Sequence, residues 1–428
     1  MCSSDLGNHY ILNGEKIFIT NGGWADVFVV FAQVDGTKFS AFIVDRNTEG
    51  FSTGAEEKKM GMKGSSTTPL IFQNAKVPAE NLLYEVGKGA TIAFNVLNIG
   101  RFKLGASSVG GSKNAIEAAS KYAKERRAFG EPIAKFDAII KKIADMTVRT
   151  FSADSMVYRT IGLLQNKIDQ LDSSDPDYYI KSGEAMENFA IETSMTKVYG
   201  SETSSFVVNE GLQIFGGYGF LEEYHLASAY RDDRINQIWE GTNEINRQII
   251  TGFMMKKALM EELPIREAVS KIDAFMSNGK LGNNDGPLAA ECETIETGKR
   301  LALFVFNEAL NTFGQDLKHE QQITEMLADI FIDLYTAEST VVRAQKIMDR
   351  GNQDRTVSSI AKIFTAEMVL RLLNLSLTAL NGIYGGQTTP IVFDQMRNFQ
   401  AKMLMPTDIV NLKREVAQRI FNQKEYPF

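Results

Sequence analysis

Cysteine is almost absent from this chain of 428 residues. Cys2 and Cys292 are the only two, far apart and without a partner pattern, which excludes a disulfide framework and a thiolate metal site and fits a reducing compartment. Histidine is nearly as scarce. His9, His225 and His319 show no HExxH-type spacing, so the sequence predicts no histidine-built metal site. There is no run of lysines or arginines, and a net charge of -7 spread over the chain gives no electrostatic footprint for nucleic acid. No apolar stretch reaches the roughly 18 residues that span a bilayer, and the N-terminus shows no basic region followed by an apolar one. The expectation is a protein that neither crosses a membrane nor is secreted by that route. What remains is ordinary globular composition: 44% hydrophobic and 23% charged residues over a length that suits two or three domains.

Two periods divide the chain. Up to about residue 90, "YILNGEKIFIT" and "DVFVVFAQVDGTKFSAFIVD" are short runs rich in Val, Ile and Phe, punctuated by NG, GG and DG pairs that suit tight turns. From about Ala90 the period lengthens. Ile139, Ile143, Met146, Thr150, Ala153, Val157, Ile161 and Leu164 recur at steps of three and four, one face of a long amphipathic helix. "DQLDSSDPDYY" (Asp169 to Tyr179) reads as an interhelical loop and "SNGKLGNNDGP" (Ser277 to Pro287) as an interdomain linker.

The helical part repeats itself faintly. "ADMTVRTFSADSMVYRT" from Ala144 aligns without a gap to "ADIFIDLYTAESTVVRA" from Ala328, with Ala144, Asp145, Ala153, Ser155, Val157 and Arg159 identical, and the segment from Lys197 aligns more loosely to that from Lys362. Either two similar helix pairs arose independently or a helical domain was duplicated. We favour duplication. Counting on from Lys197 and Lys362 puts Met405 opposite Glu240, so the second copy carries no equivalent acid and reads as structural or interactive.

Three stretches carry candidate chemistry. In "RINQIWEGTNEINRQII" (Arg234 to Ile250), Thr242 suits a helix N-cap and Glu244 the first turn. Glu240, between Trp239 and Gly241, lies outside that helix, where apolar surroundings would raise its pKa. It is either a general base for a weakly acidic C–H bond or a solvated acid before a helix. In "YAKERRAFGEPI" (Tyr122 to Ile133), Arg126 or Arg127 suits a phosphate and Phe129 a stacked base, or the stretch is simply a helix end with favourable cations and a Gly130 turn. The glycines of "LQIFGGYGF" (Leu212 to Phe220) permit close backbone approach, but the stretch lacks the strand and spacing of a dinucleotide fingerprint.

Taken together, in this order and spacing, these pieces resemble the acyl-CoA dehydrogenase family from about Asn8 to Phe253. "NGEKIFITNGG" and "MGMKGSSTTPLIFQNAKVPAENLL" are similar to its middle β domain, and "RRAFGEPI", "QIFGGYGF" and "IWEGTNEI" to its helical domain. The fold implied is α+β: a β-barrel-like middle domain, an antiparallel helical bundle and a second, degenerate helical bundle. The divisions expected are 1–86 (partial β domain), 87–254 (catalytic helical domain), 255–289 (connecting segment and linker) and 290–428 (C-terminal helical domain).

The resemblance implies α,β-desaturation of a fatty acyl-CoA. Glu240 falls at the base that removes the α-proton, and the β-hydrogen leaves as hydride to N5 of a noncovalent FAD. The alternative helical position for that base holds Gly100 in "NIGRF". Arg101 would hold or tune the carboxylate, or serve in an interhelical ion pair. For FAD the resemblance marks Phe18 and Thr20 beside the ring system, Arg126 and Phe129 reaching the cofactor of a neighbouring subunit, Gln213, Gly216 and Gly217 near its adenosine end, and Thr242 and Glu244. A homodimer, reoxidation by electron-transferring flavoprotein and peripheral membrane contact are implied, with a cytoplasmic location in a bacterium and a mitochondrial matrix or inner-membrane one in a eukaryote.

Two departures from the family pattern matter. The family's N-terminal helical domain and the "TEPGxGSD"-like segment are not seen, and "MCSSDL" does not resemble what should stand there; the expectation is an N-terminally truncated chain with one pocket wall missing. The length after Phe253 and "VLNIGRFKLGASSVGGS" resemble the very-long-chain type, implying a long-chain substrate. An acyl-CoA oxidase, a non-enzymatic scaffold or assembly factor, and an inactive fragment are the alternatives.

Overall fold

A computed structural model describes residues 2–5, 7–277, 286–351, 354–387 and 389–428, with side chains from residue 7 onward. Most of the expected linker from Ser277 to Pro287 lies outside the described residues. The described chain separates into two compact units, 1–99 and 100–428.

The first unit is a seven-stranded sheet in the order β5-β6-β2-β1-β3-β4-β7. Its strands are β1 (Cys2–Asp5), β2 (His9–Thr20), β3 (Val27–Val34), β4 (Lys38–Asp45), β5 (Phe51–Thr53), β6 (Thr67–Pro78) and β7 (Leu82–Leu83). Alternation decides which face is covered: along β3, Phe28, Val30, Ala32 and Val34 are buried in one cluster with Tyr10 and Leu12 of β2, Phe42 of β4, and Phe72 and Val77 of β6. Asp35, Gly36 and Thr37 make the β3–β4 hairpin, with Val34 paired to Lys38; Asp35 and Gly36 take positive φ (51° and 76°), and the Thr37 N–H donates to the Val34 carbonyl at 3.2 Å. Asn13-Gly14, which the dipeptide rule reads as a turn, instead stays extended within β2 opposite a bulge in β6: between the Leu12–Ala75 and Gly14–Phe72 pairs, Asn13 alone faces Gln73 and Asn74. The Asn13 side chain bonds across to Asn74 at 3.2 Å. A long β6 partner on the far side keeps the chain extended where a local signal would fold it back.

The second unit is helical. Its helices are α1 (Gly89–Glu125, beginning in the first unit), α2 (Asp137–Ile168), α3 (Tyr178–Glu187), α4 (Ala190–Phe215), α5 (Gly217–Phe220), α6 (His225–Asp233), α7 (Asn243–Leu259), α8 (Ile265–Ser270), α9 (Ile272–Ser277), α10 (Ala289–Phe313), α11 (Gln321–Asp349), α12 (Thr356–Ile383), α13 (Pro390–Met403) and α14 (Ile409–Phe421). The three-and-four face read from the sequence is the buried face of α2, with Ile143, Met146, Thr150, Ala153, Val157 and Leu164 inside. The stretch from Asp169 is the loop between α2 and α3, which takes over at Tyr178.

One apolar core runs through both helical segments, joining Ile143, Val198 and Ile250 to Leu327, Ile330 and Met368. α11 packs on α2 and α7, and α14 on α2. Met405 lies beyond α13, where Thr294 donates to its sulfur at 3.4 Å. Among the described residues α12 is long and apolar enough to cross a bilayer, with mean hydropathy 1.4, contrary to the reading that no stretch suffices. Half of that window is buried against neighbouring helices, as suits a core helix of a helical array.

Candidate active site

The Glu240 turn is supported by one close helix crossing and one cap. Gly105 of α1 and Gly200 of α4 meet so closely that a Cβ on Gly200 would stand 2.9 Å from the Gly105 Cα. Only hydrogen fits there. This approach brings Arg101 of α1 and Lys197 of α4, both buried, to the same end of the bundle. Thr242 ends the turn as the N-cap of α7, its hydroxyl accepting from the Ile245 N–H at 3.3 Å.

Between these supports the backbone is strained. Glu240 takes φ 56° and Gly241 φ 80°, and a glutamate in the left-handed region costs about 1 kcal/mol or more and persists only where its surroundings impose it. They do so through the carbonyls. Arg101 Nε donates to the Glu240 carbonyl at 3.3 Å, and Asn246 Nδ2 donates to the Gly241 and Thr242 carbonyls at 2.8 and 3.0 Å. The carboxylate lies over Gly100: a Cβ added there would stand 2.7 Å from the Glu240 Cδ and closer still to Oε2. Burial raises the Glu240 carboxyl above its ordinary value, opposed by the charges of Arg101 and then Lys197. Glu244 moves the other way, lowered by its own backbone N–H and by the Thr242 hydroxyl.

Behind the turn lies a polar layer that the sequence reading did not single out. Lys197 is fully shielded and donates to Asn243 Oδ1 at 2.7 Å. Burial lowers it to about 8, against the pull of Glu244 and Glu202. Asn243 Nδ2 donates to Ser201 Oγ (3.2 Å) and Glu202 Oε1 (3.1 Å). That same Glu202 oxygen pairs with Arg247 at 2.8 Å, and Arg247 pairs with Asp329 of α11 at 2.7 Å. The available signal was a lysine in the small and apolar run "SMTKVYGS" (Ser194 to Ser201), where a charge inside a helix needs a partner from elsewhere.

The other expected cofactor residues form two further groups. In the second unit, Arg127–Ala128 and Glu131–Pro132 pair as a small hairpin. Its turn, Phe129-Gly130, has φ of 51° and 87° and leaves the Phe129 ring 97% exposed. Nearby, Arg126, Gly216, Gly217 and Tyr218 line an open pocket of about 510 Å³. Arg126 stands 5.8 Å over the Tyr218 ring. Gly216 has φ 60° and ψ -134°, a conformation open to glycine, and exposed Gln213 lies in the last turn of α4 before it. The Glu240 turn and this pocket are separate places on the helical unit, each with its own residues.

In the first unit, Phe18 and Thr20 sit at the end of β2. Pairing with β6 shifts register between Lys16 and Ile19, and Phe18 takes φ 56° with its ring 66% exposed. A bulge of this kind re-aims a side chain. The following turn exposes the Trp24 indole, while the Trp24 backbone N–H donates to the Asn21 carbonyl at 2.9 Å. The sequence reading missed that indole.

The helical unit thus holds a half-buried carboxylate over a glycine and, elsewhere, a glycine cradle with an arginine beside it, while the first unit presents an exposed aromatic at a bulge. Three family models match in succession: the acyl-CoA dehydrogenase middle domain at residues 2–75, and acyl-CoA dehydrogenase C-terminal domains at 87–255 and 297–398. The chain belongs to the acyl-CoA dehydrogenase family.

It is 41% identical over 426 residues to a "Probable acyl-CoA dehydrogenase" of Bacillus subtilis, covering 99% of this chain and 71% of that protein. The crystal structure of an acyl-CoA dehydrogenase from Bacillus anthracis complexed with FAD superposes with TM-score 0.94 at 39% identity, covering 100% of this chain and 73% of that one. A subunit of the caffeyl-CoA reductase–Etf complex of Acetobacterium woodii is 39% identical over 59% of this chain and 63% of its own length. The bovine mitochondrial very-long-chain-specific enzyme is 34% identical over 82% of this chain and 55% of its own length. Acyl-CoA dehydrogenases use FAD, and relatives occur in complexes with electron-transferring flavoprotein.

Proposed function

We propose that this chain carries the residues for FAD-dependent α,β-dehydrogenation of a long-chain fatty acyl-CoA to the trans-2-enoyl-CoA in fatty acid β-oxidation, with Glu240 as the base. The observation that carries the reading is the Glu240 turn. Its carboxylate is fixed by a left-handed backbone, half-buried, lifted above its ordinary pKa and free of a side chain at position 100. An α-proton beside a thioester is weakly acidic, so a desolvated carboxylate that gains basicity by burial suits its removal. The developing enolate oxygen needs donors aimed at it, and the Glu240 N–H is one. Arg101 ties the Glu240 carbonyl and so aims the turn.

The exposed ring of Phe18, the Phe129 hairpin and the Arg126–Gly216–Gly217 pocket offer aromatic faces, a cation and close backbone approach, which fits a flavin dinucleotide. Phe18, Thr20, Arg126, Phe129, Gln213, Gly216, Gly217, Thr242 and Glu244 are the residues proposed to hold it. When bound, FAD supplies the acceptor for the β-hydrogen. Long-chain preference is supported by the extended match to the bovine enzyme and by the helical segment after residue 289. A homodimer, reoxidation by electron-transferring flavoprotein, and the domain divisions and locations stated above complete the proposal.

The test is Glu240→Gln, measured by anaerobic bleaching of the flavin band with palmitoyl-CoA. Loss of a general base costs about 10²- to 10⁴-fold. Bleaching at the parental rate would remove Glu240 from the mechanism.

A further inference from the structure

The second helical segment has no acid at the place of Glu240, yet one of its side chains reaches the layer behind the Glu240 turn. The connection is continuous. Asp329 of α11 accepts from Arg247 Nε at 2.7 Å, and Arg247 Nη1 reaches Glu202 Oε1 at 2.8 Å. That oxygen also accepts from Asn243 Nδ2 at 3.1 Å, and Asn243 Oδ1 accepts from Lys197 Nζ at 2.7 Å. Asn243, Arg247 and Lys197 are buried, so each polar contact here is costly to lose.

We propose that Asp329, Arg247, Glu202 and Asn243 form a positioning device that holds the Lys197 ammonium off the Glu240 carboxylate, so that the C-terminal helical segment helps keep the base competent. The inference rests on Glu240 being the base. The charged groups facing this layer are Arg101 from α1, Arg149 from α2, Lys197 and Glu202 from α4, Glu240 from the turn, Glu244 and Arg247 from α7, Asp329 and Asp333 from α11, and Glu367 and Arg371 from α12. Arg371 is engaged by Asp333 at 3.0 Å. Two cations, Arg101 and Lys197, therefore face Glu240, and they are restrained differently. Arg101 donates to the Glu240 main chain, whereas Lys197 is placed by the Asn243 amide.

The amide's orientation is set from behind. With Ser201 Oγ and Glu202 accepting from Nδ2, the carbonyl end must face Lys197. Arg247 is shared between two carboxylates. With Asp329 neutral it has one carboxylate left and competes with Asn243 for the same Glu202 oxygen. The amide is then less constrained, and Lys197 can pair with Glu240 directly. A cation in direct contact stabilises the carboxylate and makes it a weaker base.

The test reads Glu240 itself, without turnover. The full chain is labelled with [δ-¹³C]glutamate, the Glu240 carboxyl resonance is assigned by its loss in Glu240→Gln, and its titration midpoint is compared among variants. Asp329→Asn is expected to lower the midpoint by several tenths of a pH unit, with Asp329→Glu restoring it. Asn243→Asp, which gives Lys197 an anionic partner, is expected to raise it. Thermal melts report folding separately. An unchanged midpoint in both Asp329→Asn and Asn243→Asp, or a lower melting temperature with no change in midpoint, would overturn the device and leave these residues structural. If Glu240→Gln retains turnover while the midpoints shift as expected, the device stands and the assignment of the base fails.

Discussion

At the scale of single residues, this site depends on what is missing as much as on what is present. Gly100 leaves room for the Glu240 carboxylate, and the nearest atoms a methyl there would meet are the far end of that flexible side chain. Gly100→Ala is therefore expected to leave the melting temperature within a degree or two. Displacing the carboxylate should lower the rate of flavin reduction about 100-fold, as small misplacements of a reacting group do. Stopped-flow reduction beside a thermal melt checks both halves.

Lys197 bears a different cost. Its native pKa, about 8, lies below its ordinary 10.5, so between those values the unfolded chain binds more protons than the folded one. Stability then rises with pH across that window, and the penalty is fully present below about pH 8, on the order of 3 kcal/mol. Lys197→Met keeps the stem, and Ser201 Oγ remains 3.3 Å from Asn243 Oδ1. The variant should melt higher than the parent near neutral pH, with the gap narrowing as pH is raised toward about 10. A gap independent of pH would show that the charge is not what costs.

At the scale of elements, helix ends and bulges place the chemistry. The α7 N-terminus is legible in the sequence, because a threonine followed by a glutamate in the first turn is a local signal, and Thr242 caps as that signal predicts. Thr242→Ala should cost about 1 kcal/mol, seen as a fall of a few degrees or less in melting temperature. Other features could not be read locally. Asn13-Gly14 carries the dipeptide of a turn yet stays in the strand, opposite a bulge at Gln73-Asn74, because β6 supplies a partner along the whole of β2. Phe18 is an ordinary strand residue by pattern, and only the register shift against Thr67–Pro78 turns its ring outward.

At the scale of the whole helical unit, the two segments share one core. Leu327 of α11 is fully buried in the cluster that also holds Ile143, Val198 and Ile250. Leu327→Ala should cost about 2 to 5 kcal/mol. A single cooperative melt shifted downward is expected, rather than a separate early transition from the C-terminal helices. Two resolved transitions by calorimetry would mean that those helices melt as their own unit.

The sequence by itself determined the strand and helix periods, the Thr242 cap, the Asp35-Gly36 hairpin and the family motifs, including an isolated acid before α7. Each is set within a few residues, by φ preferences, capping and side-chain spacing. Only the tertiary structure decided that the Glu240 carboxylate lies over Gly100, 140 residues earlier. It likewise decided that Lys197 faces Asn243 and that Asp329 closes the layer behind them. Those relations depend on how closely α1, α4, α7 and α11 approach, which is set by small residues such as Gly105 and Gly200 meeting across helices. No local pattern specifies which helices meet.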